Sequence, residues 1–324
     1  MNLRWGIVGT GGISRTTAGD LHLTENLDLV AVASRTIENA SAFAEEFEVP
    51  RAYGDYDALL DDDAVDVVYI ATPIGTHADL AGRALQAGKH VLVEKAFTTT
   101  AEEARGLAAL AARQDRFLME AMWMRFNPAF RRMLDEVSDG AIGEVRSVQA
   151  GFGIPFPKDW NIWRPELGGG ALLDMGVYPL TLAHLMLGRP AGVTATGELR
   201  ADGLDITASV FLRYSEGQFA QALTSLAGYV NPVATVGGAD GFIAFDEPFM
   251  SAASFRVETP PHGEPRTVTA PIEGNGYVPM FRAVGEAIAD GLREHPWRPL
   301  AETIAVLETM DEVRRQLTRS VRRP

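Results

Sequence analysis

Short apolar runs rich in β-branched residues alternate with helix-like stretches over the first 120 residues, and that alternation leaves few folds open. Leu3–Val8, Leu27–Ala33, Val65–Ala71 and His90–Val93 are almost continuously apolar, as strands covered on both faces must be. Between them, Ser34–Phe47 opens with cap-type residues and stops before Pro50, and His77–Ala87 ends at Gly88. Thr100–Arg113 begins with the cap-like Thr-Ala-Glu-Glu. The pattern predicts an α/β fold with a parallel, doubly wound sheet.

After Glu120 the character changes. Helical patterns run to about Val137, and Gly143–Phe152 then alternates like a strand with one wet face. Glycine and proline crowd residues 151–170, and a helix is expected at about Ala171–Leu187. From Val193 to Val268, alternating segments such as Ile206–Tyr214 and Gln218–Leu226 predict a large, mostly antiparallel open sheet. Val278–Leu292 and Ala301–Leu317 read as closing helices. A chain of 324 residues exceeds what one core usually serves, which predicts two domains, 1–120 and 121–324.

Composition removes several function classes. A formal charge of −14 argues against a nucleic-acid partner, whose phosphates call for clustered cations. The exception, Arg314-Arg315 through Arg322-Arg323, reads as a helix end whose cations suit the C-terminal dipole. The absence of cysteine removes disulfides and thiolate chemistry, and six scattered histidines give no metal-ligand spacing. No uninterrupted apolar stretch reads as a membrane span, and the chain enters a strand at once without a signal peptide. A cytoplasmic protein with a small-molecule substrate is the expectation.

Directly after the first strand comes Gly9-Thr10-Gly11-Gly12-Ile13-Ser14. Glycines are needed where the backbone turns tightly and approaches a pyrophosphate, and the following helix N-terminus supplies donors and positive partial charge. Ser14 stands where a third glycine or alanine is usual and is small enough for helix–strand packing. At the end of the second strand, Ser34 and Arg35 offer a hydroxyl and a cation to a 2′-phosphate, while Asp28 and Glu38 fall outside the position an NAD-binding acid would occupy. The site therefore favours NADP, with NAD as the alternative. The loop Ala71-Thr72-Pro73 lies at the carboxyl edge of the same sheet, and His77 is a candidate to face the cofactor or to be a capping or packing residue.

Two further features carry chemistry. The chain has three lysines: Lys89 and Lys158 read as solvated, whereas Lys95 follows an apolar run, and it and the adjacent Glu94 are candidates to meet the cofactor. An ammonium is rarely brought toward a core unless it is paired or used. The second feature is Gly168-Gly-Gly-Ala-Leu-Leu-Asp174-Met-Gly-Val-Tyr178-Pro179. Asp174 and Tyr178 are four apart and would share one face of a helix, with His184 off that face as a packing or interface residue. Trp123, Phe126, Phe152, Phe156, Trp160 and Trp163 can wall a substrate ring or pack an interface, and Arg164 is a further cofactor candidate.

Gly9–Ser14, Val93-Glu94-Lys95 and the Gly168–Tyr178 segment together resemble the Gfo/Idh/MocA oxidoreductase family. The run Met119–Pro128 resembles its branch of dimeric dihydrodiol dehydrogenases and NADP-dependent D-xylose dehydrogenases. The resemblance implies a Rossmann domain, then an α/β domain for substrate and dimerisation through its open sheet, with Lys95 and Tyr178 facing the nicotinamide. One departure is Ala96, where the family usually has proline after Glu-Lys. A tyrosine, ordinarily titrating near 10, becomes a useful base beside an ammonium. Tyr178 is then the acid/base, Lys95 its electrostatic partner and substrate-hydroxyl donor, and Asp174 an orienting group. Lys95 as the base remains open. So do a non-catalytic NADP sensor and a glycoside-cleaving enzyme that recycles its NAD.

Overall fold

The computed structural model describes residues 2–261 and 263–321, so Arg322 and Arg323 of the expected basic tail lie outside the described residues. In chain order the first elements are β1 (Leu3–Val8), α1 (Gly12–Leu23), β2 (Leu27–Ala33), α2 (Ile37–Glu46), β3 (Arg51–Tyr53) and α3 (Tyr56–Leu60). β4 (Val67–Ile70), α4 (His77–Gln86), β5 (His90–Glu94), α5 (Ala101–Gln114), β6 (Leu118–Ala121) and α6 (Pro128–Ser138) follow. Then come β7 (Val145–Gly153), α7 (Val177–Leu187), β8 (Gly192–Leu199), β9 (Asp205–Arg213), β10 (Phe219–Ser225), β11 (Ala234–Gly238) and β12 (Phe242–Phe245). β13 (Ser254–Glu258), β14 (Arg266–Thr269), α8 (Val278–Ala289) and α9 (Leu300–Val321) close the chain.

The first compact unit comprises 1–126 and 273–303. Its strands form one parallel sheet in the order β3-β2-β1-β4-β5-β6. Ile7, Val32, Val67, Val68, Ile70 and Val91–Val93 have no exposed surface, which is why these strands read as unbroken apolar runs. Strand order reverses between β1 and β4, and the carboxyl edge at such a switch point is where ligands bind this kind of sheet. Thr100 and Glu103 form the reciprocal cap expected for α5.

A single boundary after residue 120 does not describe the chain, because residues 273–303 return to this first unit. Side-chain chemistry shows why. The ring of Phe281 meets Trp5 and Tyr69 edge-on, both at 5.6 Å. The buried Asp20 carboxylate accepts the backbone N–H groups of Asn275 at 2.9 Å and Tyr277 at 2.8 Å.

The second unit comprises 127–272 and 304–324. Its sheet runs β14-β13-β12-β11-β7-β10-β9-β8, antiparallel throughout except for β7 beside β10. α7 packs on one face, while Phe211, Leu223 and Val233 stand exposed on the strands and turns of this sheet. His184 is a packing residue, its Nε2 lying 2.8 Å from Thr309 Oγ1 of α9. The expectation that no stretch reaches a membrane span needs correction. Pro165–Leu187 is long and apolar enough, yet 72% of its most apolar window is buried inside the protein, as befits a core helix. The helix expected at Ala171–Leu187 also divides: Leu172–Gly176 makes a wider π-helical turn before α7 begins.

Candidate active site

The glycine turn is built for close approach. Gly9 has φ +108°, and a Cβ there would lie 2.6 Å from the Ala71 carbonyl oxygen, so both conformation and space require glycine. At Gly11 and Gly12 an added Cβ would meet nothing within 4 Å, which leaves that side of the backbone open to a ligand. α1 starts with no side-chain cap and no acidic residue in its first turn. Its leading N–H groups are thus available to an anion. Ser14 is fully buried, as the packing role of that position demands, while Ile13 is half-buried. These residues fit a dinucleotide pyrophosphate.

Around the turn, Thr10 Oγ1 and Ser34 Oγ are 3.1 Å apart, and Arg35 is exposed just past β2. Thr72 and Pro73 are half-buried beyond β4, with Thr72 Oγ1 2.7 Å from Thr76 Oγ1. His77 takes the packing role of its two alternatives. Its side chain is fully buried, with Nδ1 3.0 Å from the Ala96 carbonyl and Nε2 2.8 Å from that of Thr72. Burial, ahead of any other influence, lowers its pKa. His77 ties the loop after β4 to the loop after β5.

Lys95 lies one residue beyond β5 and is half-buried, and the Lys95–Ala96 peptide is cis. Glu94 turns into the unit: it is 4% exposed and accepts the Tyr69 hydroxyl and the Lys95 backbone N–H. Burial pushes its carboxyl up to about 7, against the opposing Tyr69 bond and Lys95 charge. Lys89 also departs from expectation, since it is buried and its Nζ donates to the carbonyls of Asp62 at 2.8 Å and Val65 at 2.9 Å. Glu120 was not readable as a site residue. Its buried carboxylate accepts Phe97 N–H at 3.1 Å, Arg298 Nε at 2.9 Å and Thr303 Oγ1 at 3.2 Å, and pairs with Arg298 Nη2. It thereby anchors the turn that carries Lys95. The one signal was an acid inside an apolar strand.

In the second unit, Gly168 and Gly170 have φ +76° and +135°, and a Cβ at Gly170 would strike the Asp205 carboxylate. Asp205 Oδ2 accepts the Leu172 N–H at 2.6 Å, and Thr224 Oγ1 donates to the Ala171 carbonyl at 3.0 Å. The π turn therefore starts from a braced point. Burial pushes the Asp205 carboxyl up to about 6, opposed by the Leu172 N–H and the Arg314 charge. The expected shared α-helical face for Asp174 and Tyr178 is corrected, because residues 172–176 follow the wider i→i+5 winding. Asp174 is half-buried; Tyr178 is 5% exposed, with the Phe152 ring 6.0 Å away and edge-on.

The aromatic candidates separate. Trp123 is 8% exposed, most of its surface taken up by packing, and it stacks on Tyr277 at 4.9 Å within the first unit. Phe126 is buried against His295 and Trp297. In the second unit Trp163 is buried and donates Nε1–H to the Phe156 carbonyl at 3.0 Å. Trp160 remains 52% exposed and stacks on Phe156 at 5.2 Å. Lys158, expected to be solvated, has its Nζ 3.2 Å from the Trp163 ring centroid. Arg164 is exposed, and its carbonyl accepts from Leu167 and Gly169.

Residues 3–122 match the model of the oxidoreductase family with the NAD-binding Rossmann fold, and residues 130–244 match the GFO/IDH/MocA C-terminal domain. The trans-1,2-dihydrobenzene-1,2-diol dehydrogenase of Mus musculus is 35% identical, covering 98% of this chain and 97% of its own. The enzyme of that name from Xenopus tropicalis is 33% identical, covering 98% of each. Among solved structures, a 3-ketoreductase from Actinomadura kijaniata in complex with NADP and TDP-benzene superposes with TM-score 0.87 at 30% identity, over 98% of each chain. The aldose-aldose oxidoreductase from Caulobacter crescentus, complexed with glycerol, gives TM-score 0.88 at 26% identity, over 99% of this chain and 98% of that one. With both of its halves matched, and with relatives of nearly equal length, the chain belongs to the Gfo/Idh/MocA family of oxidoreductases.

Proposed function

We propose that this enzyme is an NADP-dependent dehydrogenase or reductase acting on a secondary hydroxyl or carbonyl of a trans-dihydrodiol, small polyol or aldose. One observation carries the reading. β1, β4 and β5 are neighbouring parallel strands, so the Gly9–Gly12 turn after β1 and Lys95 after β5 stand at the same carboxyl edge of one sheet. A dinucleotide would be held by that turn and the α1 N-terminus, with Thr72 and Pro73 on its rim. Ser34 and the exposed Arg35 supply a hydroxyl and a cation for a 2′-phosphate. The NADP in the Actinomadura ketoreductase supports that choice.

When bound, nicotinamide would give or take the hydride. In this reading the protein's own groups handle the proton. Tyr178 exchanges it with the substrate oxygen, and the Lys95 ammonium donates a hydrogen bond to that oxygen and favours phenolate. Asp174 orients the substrate. Phe152 and Trp160 offer aromatic surface to its ring. The exposed Phe211, Leu223 and Val233 support a homodimer formed through the open sheet.

The test is NADP and NAD reduction across trans-dihydrodiols, aldoses and inositols, with Lys95→Ala as the blank. Turnover with NADP is expected in at least one class. Tyr178→Phe should lower kcat about 100-fold or more while dinucleotide affinity holds. Tight cofactor binding without turnover anywhere in the panel would overturn the reading in favour of a sensor. Glycoside cleavage with retained cofactor and no net reduction would overturn it in favour of redox-assisted hydrolysis.

A further inference from the structure

Lys95 stands on a buried acid that hydride transfer leaves without a task. Glu94 Oε2 accepts the Lys95 backbone N–H at 3.2 Å, while Oε1 accepts the hydroxyl of Tyr69. Tyr69 is fully buried in β4, and its hydroxyl also meets the side chain of Thr17. Thr17 Oγ1 donates to the Ile13 carbonyl at 2.9 Å, in the first turn of α1. A continuous set of buried polar groups thus runs from the base of Lys95 to the helix of the glycine turn, all within the first unit.

We propose that Glu94, held by Tyr69, is a positioning residue that sets the charge state of the Lys95 ammonium and with it the pH range of the reaction. The inference rests on the reading of Lys95 as the substrate-facing ammonium. An ionised carboxylate behind an ammonium makes its proton harder to lose; a neutral acid does not. Which form Glu94 takes is finely balanced. Burial favours the neutral acid, and the Tyr69 hydroxyl, the Lys95 N–H and the Lys95 charge favour the anion, which leaves the carboxyl at about 7. Glu120 of β6 adds repulsion, itself neutralised by Arg298. Tyr277 acts on Tyr69, and His77 of α4, its pKa lowered first by burial, lies within reach of the Lys95 charge. Among the described residues, the ionisable groups that bear on this acid are Tyr69, Lys95 and Glu120.

The chain's three lysines make the coupling directly readable. Reductive methylation with 13C-formaldehyde gives each lysine amine its own NMR resonance, and Lys95→Arg assigns the one of interest. The protein is titrated without cofactor. In wild type, the Lys95 resonance should show a second inflection near pH 7, absent from Lys158. In Glu94→Gln that inflection should vanish and the lysine's own titration should fall by about one pH unit. In Tyr69→Phe, which removes the donor but keeps the acid, the inflection should move to higher pH. Unchanged Lys95 titration in both variants overturns the proposal. Should Glu94→Gln fail to fold, Tyr69→Phe decides by the same criterion. Turnover with no lysine coupling sinks this inference alone, whereas coupling with no turnover in the substrate panel sinks only the reading of the reaction.

Discussion

Replacing Arg298 by methionine should be among the most damaging single changes outside the reacting groups. Arg298 and Glu120 are each 1% exposed, so the pair is removed from water. The substitution keeps much of the volume and deletes the guanidinium, and with it the Nε bond of 2.9 Å and the Nη2 contact. Each hydrogen bond to a charged group contributes about 1.5–3 kcal/mol, and an ion left buried without its partner costs about 3–5 kcal/mol. Glu120 would keep only Phe97 N–H and Thr303 Oγ1. For a domain of this size each kcal/mol moves Tm by about 2–4 °C, so a fall of about 10 °C is expected. Thermal unfolding followed by circular dichroism is the assay. The second variant, Glu120→Gln with Arg298→Met, should recover most of the loss, because no charge then stays buried alone. A single variant whose Tm lies within about 2 °C of wild type would refute the reasoning, since it would show that Glu120 does not depend on Arg298.

Three more outcomes follow from the same geometry. Gly11→Ala, whose Cβ meets nothing within 4 Å, should leave Tm unchanged yet weaken dinucleotide binding about tenfold or more by calorimetry, whereas Gly9→Ala should fail on stability first. Arg35→Asp should weaken NADP by about 10- to 100-fold and leave NAD within about threefold, measured as Kd by fluorescence titration; equal losses for both would show that Arg35 does not face the 2′ position. Asp205 is raised from 3.8 to about 6 in the fold, so the native state binds the extra proton and this contribution to stability is lost as pH rises from 4 to 6. Asp205→Asn, which can still accept from Leu172, should therefore gain about 2 kcal/mol relative to wild type between pH 4 and pH 7 in denaturant unfolding, and parallel curves would contradict it.

What could be read ahead of the structure, and what could not, divides along the range of the forces involved. β1 and β2 coincide with their apolar runs because burial on both faces leaves a local mark. The cap of α5 was legible for the same reason, since Thr100 and Glu103 satisfy one another within a single turn. β3 and β6, of three and four residues, are too short to carry a period of their own. The π turn escaped because its start is braced by Asp205, far along the chain on another strand, while the local sequence satisfies an ordinary helix equally well.

Charged groups show the division most sharply. Lys89, beside a glycine, reads as a solvated turn residue, yet it spends its ammonium on the Asp62 and Val65 carbonyls. Glu94 turns inward because Tyr69, 25 positions back, waits there with a hydroxyl, and Glu120 stays buried because Arg298 arrives 178 positions later. An apolar side chain finds a suitable environment almost anywhere in a core, so its position follows from pattern alone. A buried charge is tolerated only where a specific partner has been placed. The information that fixes it is therefore held jointly by two distant residues. At the carboxyl edge of the first sheet the glycine turn, a local device, was legible, but the inward turn of Glu94 onto Tyr69 was not. A group that bears on a site's proton chemistry is thus placed by a partner outside its own stretch of sequence, as Glu94 is by Tyr69.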